Sequence, residues 1–240
     1  GRRWRTLPAG RGGPSARPTH PASVPTHLGR VDREARCRSC PERNPGPRAQ
    51  GYRGHVRILV VGAGGVGSLA IQLAKLWGGF VIAVTSSDEK KKLCMDLGAD
   101  VVVDAGVEDL TAALKEANGG KGVDLVLEMV GGKTFDQSLA ALANFGRIVF
   151  YGMASRTAPM PVHPGALMGK SQTISGFWLV NCLAKKEMVG DVFAELFGLI
   201  VSGKLRPVVG ATYPLSKAIE AHREMLARKT VGKIVLNPAE

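Results

Sequence analysis

The sequence predicts an α/β fold: a doubly wound parallel sheet with a C-terminal α+β tail and a disordered N-terminal leader. Three observations predict it. From residue 56 onwards short apolar strands alternate with helices of ten to thirteen residues, a glycine-rich turn follows the first strand, and residues 1–55 are basic and rich in proline. Strands separated by helices of this length need right-handed crossovers, which produce a parallel sheet that is covered on both faces.

The leader, residues 1–55, carries most of the charge of the chain. The formal net charge of the 240 residues is +12, and residues 1–57 hold thirteen arginines, no lysine and three acidic residues. Eight of the fourteen prolines lie there as well. Such a segment cannot bury enough apolar surface to offset its conformational entropy, so we expect it to be disordered. Its scattered arginines lack an aromatic stacking platform, which argues against a nucleic-acid arm but leaves it as an alternative.

Other classes of protein are disfavoured by what the sequence lacks. It contains no run of eighteen apolar residues, so no membrane-spanning helix is expected. No secretory signal is recognised, and a cytoplasmic location is the default expectation. Four cysteines are too few for a disulfide framework. Cys37 and Cys40 form an isolated C-x-x-C, and Cys94 and Cys182 lie in apolar surroundings, so no metal site is expected.

The alternating part of the chain is predicted element by element from its apolar runs. The strands are predicted at 56–61, 80–84, 100–104, 123–130, 146–152 and 173–180, and the helices at 66–77, 87–97, 107–118 and 133–143. The first strand is a continuous β-branched run, which is typical of a strand buried on both faces. The last, 173–180, is rich in β-branched and aromatic residues, and we expect it at an edge of the sheet, where it can pair with a second copy of the chain.

The chain changes character beyond residue 182. Helices are predicted at 185–202 and 215–228, and extended segments at 205–210 and 232–236. Because this tail does not continue the alternation, we expect it to lie in a different layer from the main sheet.

The glycine-rich turn, residues 62–67 (GAGGVG), has the spacing G-x-G-x-x-G between a strand and a helix. Gly62 allows the tight turn, Gly64 lets a pyrophosphate approach the backbone, and Gly67 lets the helix pack closely on the strand. The amides of residues 65–68 and the helix dipole then face an anion. At the first turn of an alternating sheet, this pattern predicts a Rossmann-like dinucleotide-binding domain over residues 56–182.

The end of the second strand indicates which dinucleotide binds. Residues 84–87 (VTSS) occupy the slot in which NAD-binding domains place a carboxylate for the ribose 2′-hydroxyl. A neutral slot followed by three lysines, residues 90–92, suits a 2′-phosphate, so NADPH is favoured over NADH. Alternatively, Ser86 and Glu89 form a capping box and the lysines are a solvated helix face. Both interpretations can hold, because a capped helix N-terminus is itself an anion site.

Together these segments resemble the medium-chain dehydrogenase/reductase superfamily, and within it the zinc-independent NADPH:quinone oxidoreductase (zeta-crystallin-like) branch. The resemblance covers about residues 56–238 and rests on GGVGSLAIQLAKLWG, VTSSDEKKKLCMDLGAD, GVDLVLEMVGGKTFDQSLAAL, GRIVFYGMAS and KLRPVVGATYPLSKAIEAHREMLARKTVGKIVL. It implies hydride transfer from NADPH to a quinone or another α,β-unsaturated carbonyl. An enoyl-thioester reductase shares the cofactor site and remains an alternative.

The resemblance also implies residues for the cofactor site, taken position by position. The pyrophosphate would be held by Gly64, Gly65, Val66 and Gly67, the 2′-phosphate by Ser86, Lys90 and Arg228, and the nicotinamide and its ribose by Val130, Gly131, Gly152, Met153 and Phe177. For the apolar members of this set, plain core packing is an equally open interpretation. The sequence names no catalytic residue.

The chain departs from the family pattern at its N-terminus. Family members carry a complete catalytic domain before the nucleotide-binding domain, whereas residues 1–55 have neither the length nor the apolar pattern for one. Residues 183–240 resemble a helix and the segment that returns to that domain, so we expect their apolar side chains to fold onto the nucleotide-binding domain, to dimerise or to stay exposed. A module that binds NADPH without turnover therefore remains an alternative function.

Overall fold

The computed structural model describes residues 56–239, and the predicted alternation of strands and helices is present in them. The first nine elements are β1 (Arg57–Val61), α1 (Gly65–Leu76), β2 (Phe80–Thr85), α2 (Asp88–Asp96), β3 (Val101–Asp104), α3 (Leu110–Ala117), β4 (Val123–Glu128), α4 (Gly132–Ala140) and β5 (Leu142–Phe150). Each lies close to its predicted position. The leader 1–55, with its arginines and its C-x-x-C, lies outside the described residues.

The second half of the chain holds shorter elements. They are α5 (Pro164–Met168), β6 (Thr173–Gly176), α6 (Leu179–Leu183), α7 (Lys186–Val201), β7 (Val209–Pro214), α8 (Ala218–Leu226) and β8 (Lys233–Asn237), with a 3₁₀ turn at Leu215–Lys217 before α8. The sequence pattern did not predict α5 or α6, because helices of five residues are too short to show a period. None of the helices within residues 56–239 has the length and apolar character needed to cross a bilayer.

Six parallel strands form the main sheet, in the order β3-β2-β1-β4-β5-β6. The strand order reverses between β1 and β4, which is where open α/β sheets bind their ligands, beyond the carboxyl ends of the strands. Along β1, Ile58 and Val60 belong to one buried cluster and Leu59 and Val61 to another. Because successive side chains of a strand point to opposite faces, this sheet is covered on both sides, and the predicted doubly wound architecture is confirmed.

The predicted strand 173–180 is wrong in its second half. It lies at the edge of the sheet as expected, but β6 ends at Gly176 and α6 begins at Leu179. Its neighbour β5 ends at Phe150, so the ladder has no partner strand beyond that point. One further hydrogen bond, from the Phe177 amide to the Phe150 carbonyl (2.9 Å), closes the ladder before the chain turns into the helix.

The tail does not continue the main sheet, as the sequence predicted, because β7 and β8 pair in parallel as a two-stranded sheet of their own. The extended segment predicted at 205–210 is misplaced, since β7 begins only at Val209. Leu205 is fully buried, and Val208 packs against the cluster that contains Val60. Other apolar side chains of the tail, including Ile219, stay exposed to solvent. The tail is thus anchored to the nucleotide-binding domain through a few residues.

Candidate functional site

The turn between β1 and α1 requires glycine at its two ends. Gly62 has a φ of 95°, in the left-handed region, and its amide donates to the Val84 carbonyl at 2.9 Å. Gly67 lies so close to the start of the turn that a Cβ atom there would be 1.7 Å from the Gly62 carbonyl oxygen. The first and third glycines therefore have the structural roles that the sequence predicted for them.

The N-terminus of α1 is open to an anion. Gly64 precedes the helix without a side-chain cap, no acidic residue lies in the first turn, and a Cβ atom on Gly64 would meet nothing within 4 Å. Within the described residues the amides of Val66 and Gly67 have no backbone acceptor outside α1, as is usual for a first helical turn. The prediction included the amide of Ser68, which is wrong, because that amide donates to the Gly64 carbonyl at 2.9 Å.

At the end of β2, Thr85 is buried and Ser86 is exposed. The cap of α2 is Ser87, whose hydroxyl accepts from the Lys90 amide at 3.4 Å, so the capping box predicted at Ser86 and Glu89 is wrong by one position. Ser86 is thus left outside the helix cap, on the surface between the strand and α2.

Lys90 and Arg228 lie in contact beyond the end of β2, and the surface that they form is the rim of the candidate site. The Lys90 ammonium donates to the backbone carbonyl of Arg228 at 2.5 Å, and Arg228 adopts a left-handed φ of 58° directly after α8. Partial burial and the nearby Arg228 charge lower the pKa of Lys90. Two cations at one rim repel each other, and a bound anion with more than one negative charge would relieve that repulsion.

Lys91 is engaged elsewhere. Its ammonium pairs with Asp104 at the end of β3 (2.7 Å) and with Asp88 (3.1 Å). These two carboxylates raise the pKa of Lys91. Of the lysine run at 90–92, the structure therefore separates Lys90, which faces Arg228, from Lys91, which is neutralised.

The loops after β4 and β5 are joined by backbone hydrogen bonds. The amides of Tyr151, Ala154 and Ser155 donate to the carbonyls of Glu128, Met129 and Val130, at 3.0, 2.9 and 2.9 Å. The two loops thus form one wall, which carries four of the predicted site residues and is continued by a fifth, at the end of β6. These residues are Val130, Gly131, Gly152, Met153 and Phe177.

Close packing within this wall again requires glycine. Gly131 has a φ of 78°, and a Cβ atom there would be 2.9 Å from Cγ of Met153. A Cβ atom on Gly152 would be 3.1 Å from the Met129 carbonyl oxygen. Met153 and Phe177 are each about half exposed, at 47% and 46%, so part of the apolar wall faces outward. Plain core packing does not account for these two side chains.

Two residues near the site were not found from the sequence. The Lys233 side chain lies over the phosphate turn, since a Cβ atom on Gly65 would be 3.2 Å from its Cδ, and Gly232 forms an isolated parallel bridge with Gly64. Glu128, the last residue of β4, is fully buried and accepts from the amides of Val130 and Gly131. The sequence gives no signal for Lys233 because it lies far from the turn along the chain. It gives none for Glu128 because this residue lies within a predicted strand like its neighbours.

Comparison with known proteins identifies relatives of this chain. A 2-haloacrylate reductase from a Burkholderia species is 31% identical over 75% of this chain and 55% of its own length. The quinone oxidoreductase of Sus scrofa is 31% identical over 75% of this chain and 54% of its own length. A mycobacterial protein with a structure determined in complex with NADPH is 38% identical, with a TM-score of 0.72 over 80% of this chain and 60% of that one.

The family profile described as zinc-binding dehydrogenase matches residues 65–197, more than half of the chain. The chain belongs to the zinc-binding dehydrogenase family. The expected resemblance is thereby confirmed, with quinone oxidoreductases among the relatives. This zinc-binding dehydrogenase chain spans about half the length of the curated relatives it matches.

The family name raises the question of metal ligands. Within residues 56–239 of this zinc-binding dehydrogenase, no three His, Cys, Asp or Glu side chains are grouped so that they could hold a metal ion. Cys94 is fully buried, and burial raises the pKa of its thiol to about 11, so it stays protonated at neutral pH. The expectation that the chain uses no zinc stays a prediction.

Proposed function

We propose that this zinc-binding dehydrogenase chain binds NADPH across the carboxyl ends of its strands and provides the cofactor-binding part of an oxidoreductase. One observation carries the proposal. An uncapped glycine turn follows β1, and Lys90, in the helix after β2, contacts Arg228 from beyond α8; β1 and β2 are neighbouring parallel strands. A dinucleotide offers a diphosphate to the first feature and an adenosine phosphate to the second.

The phosphate turn fits the diphosphate in charge and in shape. Gly64, Gly65, Val66 and Gly67 would line it, the amides of the first helical turn would donate to it, and the space beside Gly64 is open. The positive end of the α1 dipole adds a favourable field for an anion. The Lys233 side chain over the turn supplies a further cation beside the same position.

The adenosine end fits a phosphate better than a bare ribose. Residues 84–87 provide no carboxylate to accept from a ribose 2′-hydroxyl, whereas Ser86, Lys90 and Arg228 provide a hydroxyl and two cations. A 2′-phosphate would accept charge-assisted hydrogen bonds from both cations. We therefore propose that the chain selects NADPH over NADH at this end of the site.

The remaining site residues would position the reacting end. When bound, NADPH supplies a hydride from its nicotinamide ring. The half-exposed side chains of Met153 and Phe177, with the backbone of Val130, Gly131 and Gly152, would exclude water from one side of the ring and fix its orientation. Since hydride transfer to a conjugated carbonyl depends mainly on such positioning, the acceptor we propose is a quinone or another α,β-unsaturated carbonyl compound. The names of the relatives, quinone oxidoreductase and 2-haloacrylate reductase, support this class.

A second candidate function is binding of NADPH without transfer of its hydride. It is favoured by the large apolar side chains that stay exposed beside the proposed nicotinamide wall, such as Trp178 (64%) and Leu179 (51%), because an acceptor there is poorly shielded from water. The two candidates share the cofactor site and differ only in whether hydride leaves it.

Calorimetric titration with NADPH and NADH, followed by addition of a quinone, tests both candidates. Binding of NADPH that is tighter than binding of NADH supports the cofactor site, and loss of reduced-nicotinamide absorbance after quinone addition supports the oxidoreductase. Binding without consumption selects the module. Absence of heat with either nucleotide, in folded protein, overturns the proposed function.

We also propose that two copies of the chain pair through the exposed side of β6. This strand is at the edge of the sheet, and the residues that follow it, Trp178, Leu179 and Val180, are each more than half exposed. Unpaired edge strands with exposed apolar flanks favour pairing across a two-fold axis.

A further inference from the structure

Glu128 is a buried carboxylate that the proposed function leaves without a role. Its side chain has no solvent-accessible surface, and its oxygens accept from the Val130 amide at 2.8 Å and from the Gly131 amide at 3.0 Å. In the part of the chain that the structure describes, no Lys, Arg or His side chain forms an ion pair with it. Burying a carboxylate costs folding free energy unless hydrogen bonds or an ion pair compensate for its lost hydration. Here the compensation comes from backbone amides.

The two amides that Glu128 holds belong to a turn that is difficult to form. Gly131 and Gly132 are both left-handed, with φ values of 78° and 53°, and α4 begins immediately after Gly131. A single carboxylate that accepts from two successive amides fixes the direction of both peptide planes. The turn therefore depends on a side chain that comes from the strand below it.

The neighbouring loop depends on the same turn. The amides of Ala154 and Ser155 donate to the carbonyls of Met129 and Val130, both at 2.9 Å, so the loop after β5 follows any movement of the turn after β4. Met153 packs directly on Gly131. A change at Glu128 would thus displace both sides of the proposed nicotinamide wall and leave the distant rim at Lys90 in place.

We propose that Glu128 is a positioning residue for the nicotinamide half of the cofactor. It acts by holding the Val130–Gly131 turn, and it contributes to affinity for that half alone. This inference rests on the NADPH site proposed above. The adenosine half is bound by different elements, the ends of β2 and α8, which have no hydrogen bond to Glu128 among the contacts of the described residues.

Variants of Glu128 can be chosen by how many hydrogen-bond acceptor oxygens they keep. A Glu128→Gln side chain has one acceptor oxygen and an NH₂ group that only donates, so Gly131 loses its 3.0 Å acceptor and keeps at most the longer contact of 3.3 Å with the oxygen that also accepts from Val130. Glu128→Asp keeps both acceptor oxygens on a shorter stem. Ser138 in α4 offers a matched control, since its buried hydroxyl has no hydrogen-bond partner within the described residues and Ser138→Ala leaves both amides untouched.

The experiment compares NADPH with 2′,5′-ADP, which lacks the nicotinamide half, as ligands for the wild type and the three variants. We expect Glu128→Gln to weaken NADPH binding roughly ten- to hundredfold and to leave 2′,5′-ADP affinity within about twofold. Glu128→Asp should lie between it and the wild type, and Ser138→Ala should match the wild type for both ligands. The fluorescence of bound NADPH should shift less in Glu128→Gln, because its ring is held less firmly.

Equal loss of affinity for both ligands in Glu128→Gln would overturn the inference, because a merely structural role predicts that result. Unchanged NADPH affinity would overturn it as well. If Glu128→Gln does not fold, Glu128→Asp carries the same comparison with the same two outcomes. If the wild type binds neither ligand, the proposed function and this inference are both refuted. If the wild type binds both ligands and the Glu128 variants do not differ between them as expected, this inference alone is refuted.

Discussion

The Lys90 ammonium donates a hydrogen bond to the backbone carbonyl of Arg228, a residue 138 positions later in the chain, at 2.5 Å. This contact brings the residue after α8 against the N-terminal turn of α2. The rim beyond β2 therefore carries two cations that come from opposite ends of the described chain. In the proposed NADPH site, they determine which adenosine end is accepted.

Replacing Lys90 by alanine should weaken NADPH binding far more than NADH binding. A charge-assisted hydrogen bond to the 2′-phosphate would be lost, at a cost of about 1.5–3 kcal/mol, or roughly ten- to hundredfold in affinity. Calorimetric titration of each nucleotide into wild type and variant measures the difference. Lys92→Ala is the matched control, because it removes an exposed lysine from the same helix. Equal losses for NADPH and NADH in Lys90→Ala would contradict the assignment.

Alanine at Gly67 and alanine at Gly64 should have different effects on stability and on binding. Gly67→Ala places a methyl group 1.7 Å from the Gly62 carbonyl oxygen, so we expect a loss of at least about 3 kcal/mol in the free energy of unfolding. Gly64→Ala has open space and a φ of −76°, so its stability should change by less than about 1 kcal/mol.

Gly64→Ala should nevertheless bind NADPH more weakly, because its methyl group stands where the diphosphate has to approach the amides. Urea unfolding and NADPH titration of both variants separate the two effects. A stable Gly67→Ala protein would show that the turn relaxes more easily than the structure indicates. Full NADPH affinity in Gly64→Ala would place the diphosphate elsewhere.

The stability of the wild type should depend on pH through Glu128. Burial raises the pKa of this carboxyl above its ordinary value of 4.5, although the amides of Val130 and Gly131 oppose the shift. The folded chain then binds the proton more tightly than the unfolded chain. Stability is therefore lost as the pH rises from about 4.5 through the folded pKa, and it is regained as the pH falls.

Glu128→Gln removes this titratable group and keeps every other titratable group of the chain. The difference in unfolding free energy between wild type and variant, measured in urea from about pH 4 to pH 8, should shift in favour of the variant as the pH rises. Tyr151, which lies beside Glu128, does not titrate in this range, since burial and the carboxylate charge raise its pKa to about 12. A difference that stays constant with pH would refute the prediction.

The proposed pairing through β6 is tested by sedimentation. We expect dimers at micromolar concentration, and Trp178→Lys should convert them to monomers by placing a charge on the exposed apolar segment beside the strand. Trp77→Lys is a matched control, because Trp77 is also an exposed tryptophan (47%) but lies at the C-terminus of α1, outside β6 and the segment that follows it. A wild type that sediments as a monomer would end the proposal.

Much of the fold follows from local patterns. The β-branched run of β1 buries Ile58 and Leu59 on opposite faces, and that continuous apolar character predicts a strand inside a parallel sheet. The strict need for glycine at 62 and 67 is local as well, because it arises from the geometry of one turn. Patterns of this kind depend on residues that are near one another in the sequence.

The sequence pattern fails where contacts with another element of the fold determine the local structure. The apolar run at 173–180 predicts a strand throughout, yet β6 ends at Gly176, opposite the last residue of β5, Phe150, and the next amide of that chain, Tyr151, donates to Glu128 instead. Whether Ser86 or Ser87 caps α2 depends on where the helix begins, which is Asp88 and not the predicted residue 87. Local propensity does not contain this information.

By itself the sequence determined the parallel sheet, the glycine turn and the neutral, lysine-flanked end of β2. Only the tertiary structure decided that Lys90 faces Arg228 while Lys91 pairs with Asp104, and that the Glu128 carboxylate holds the turn above its strand. The physical reason is that backbone periodicity is fixed within a few residues, whereas charges and hydrogen-bond acceptors act through space on whatever the fold brings beside them.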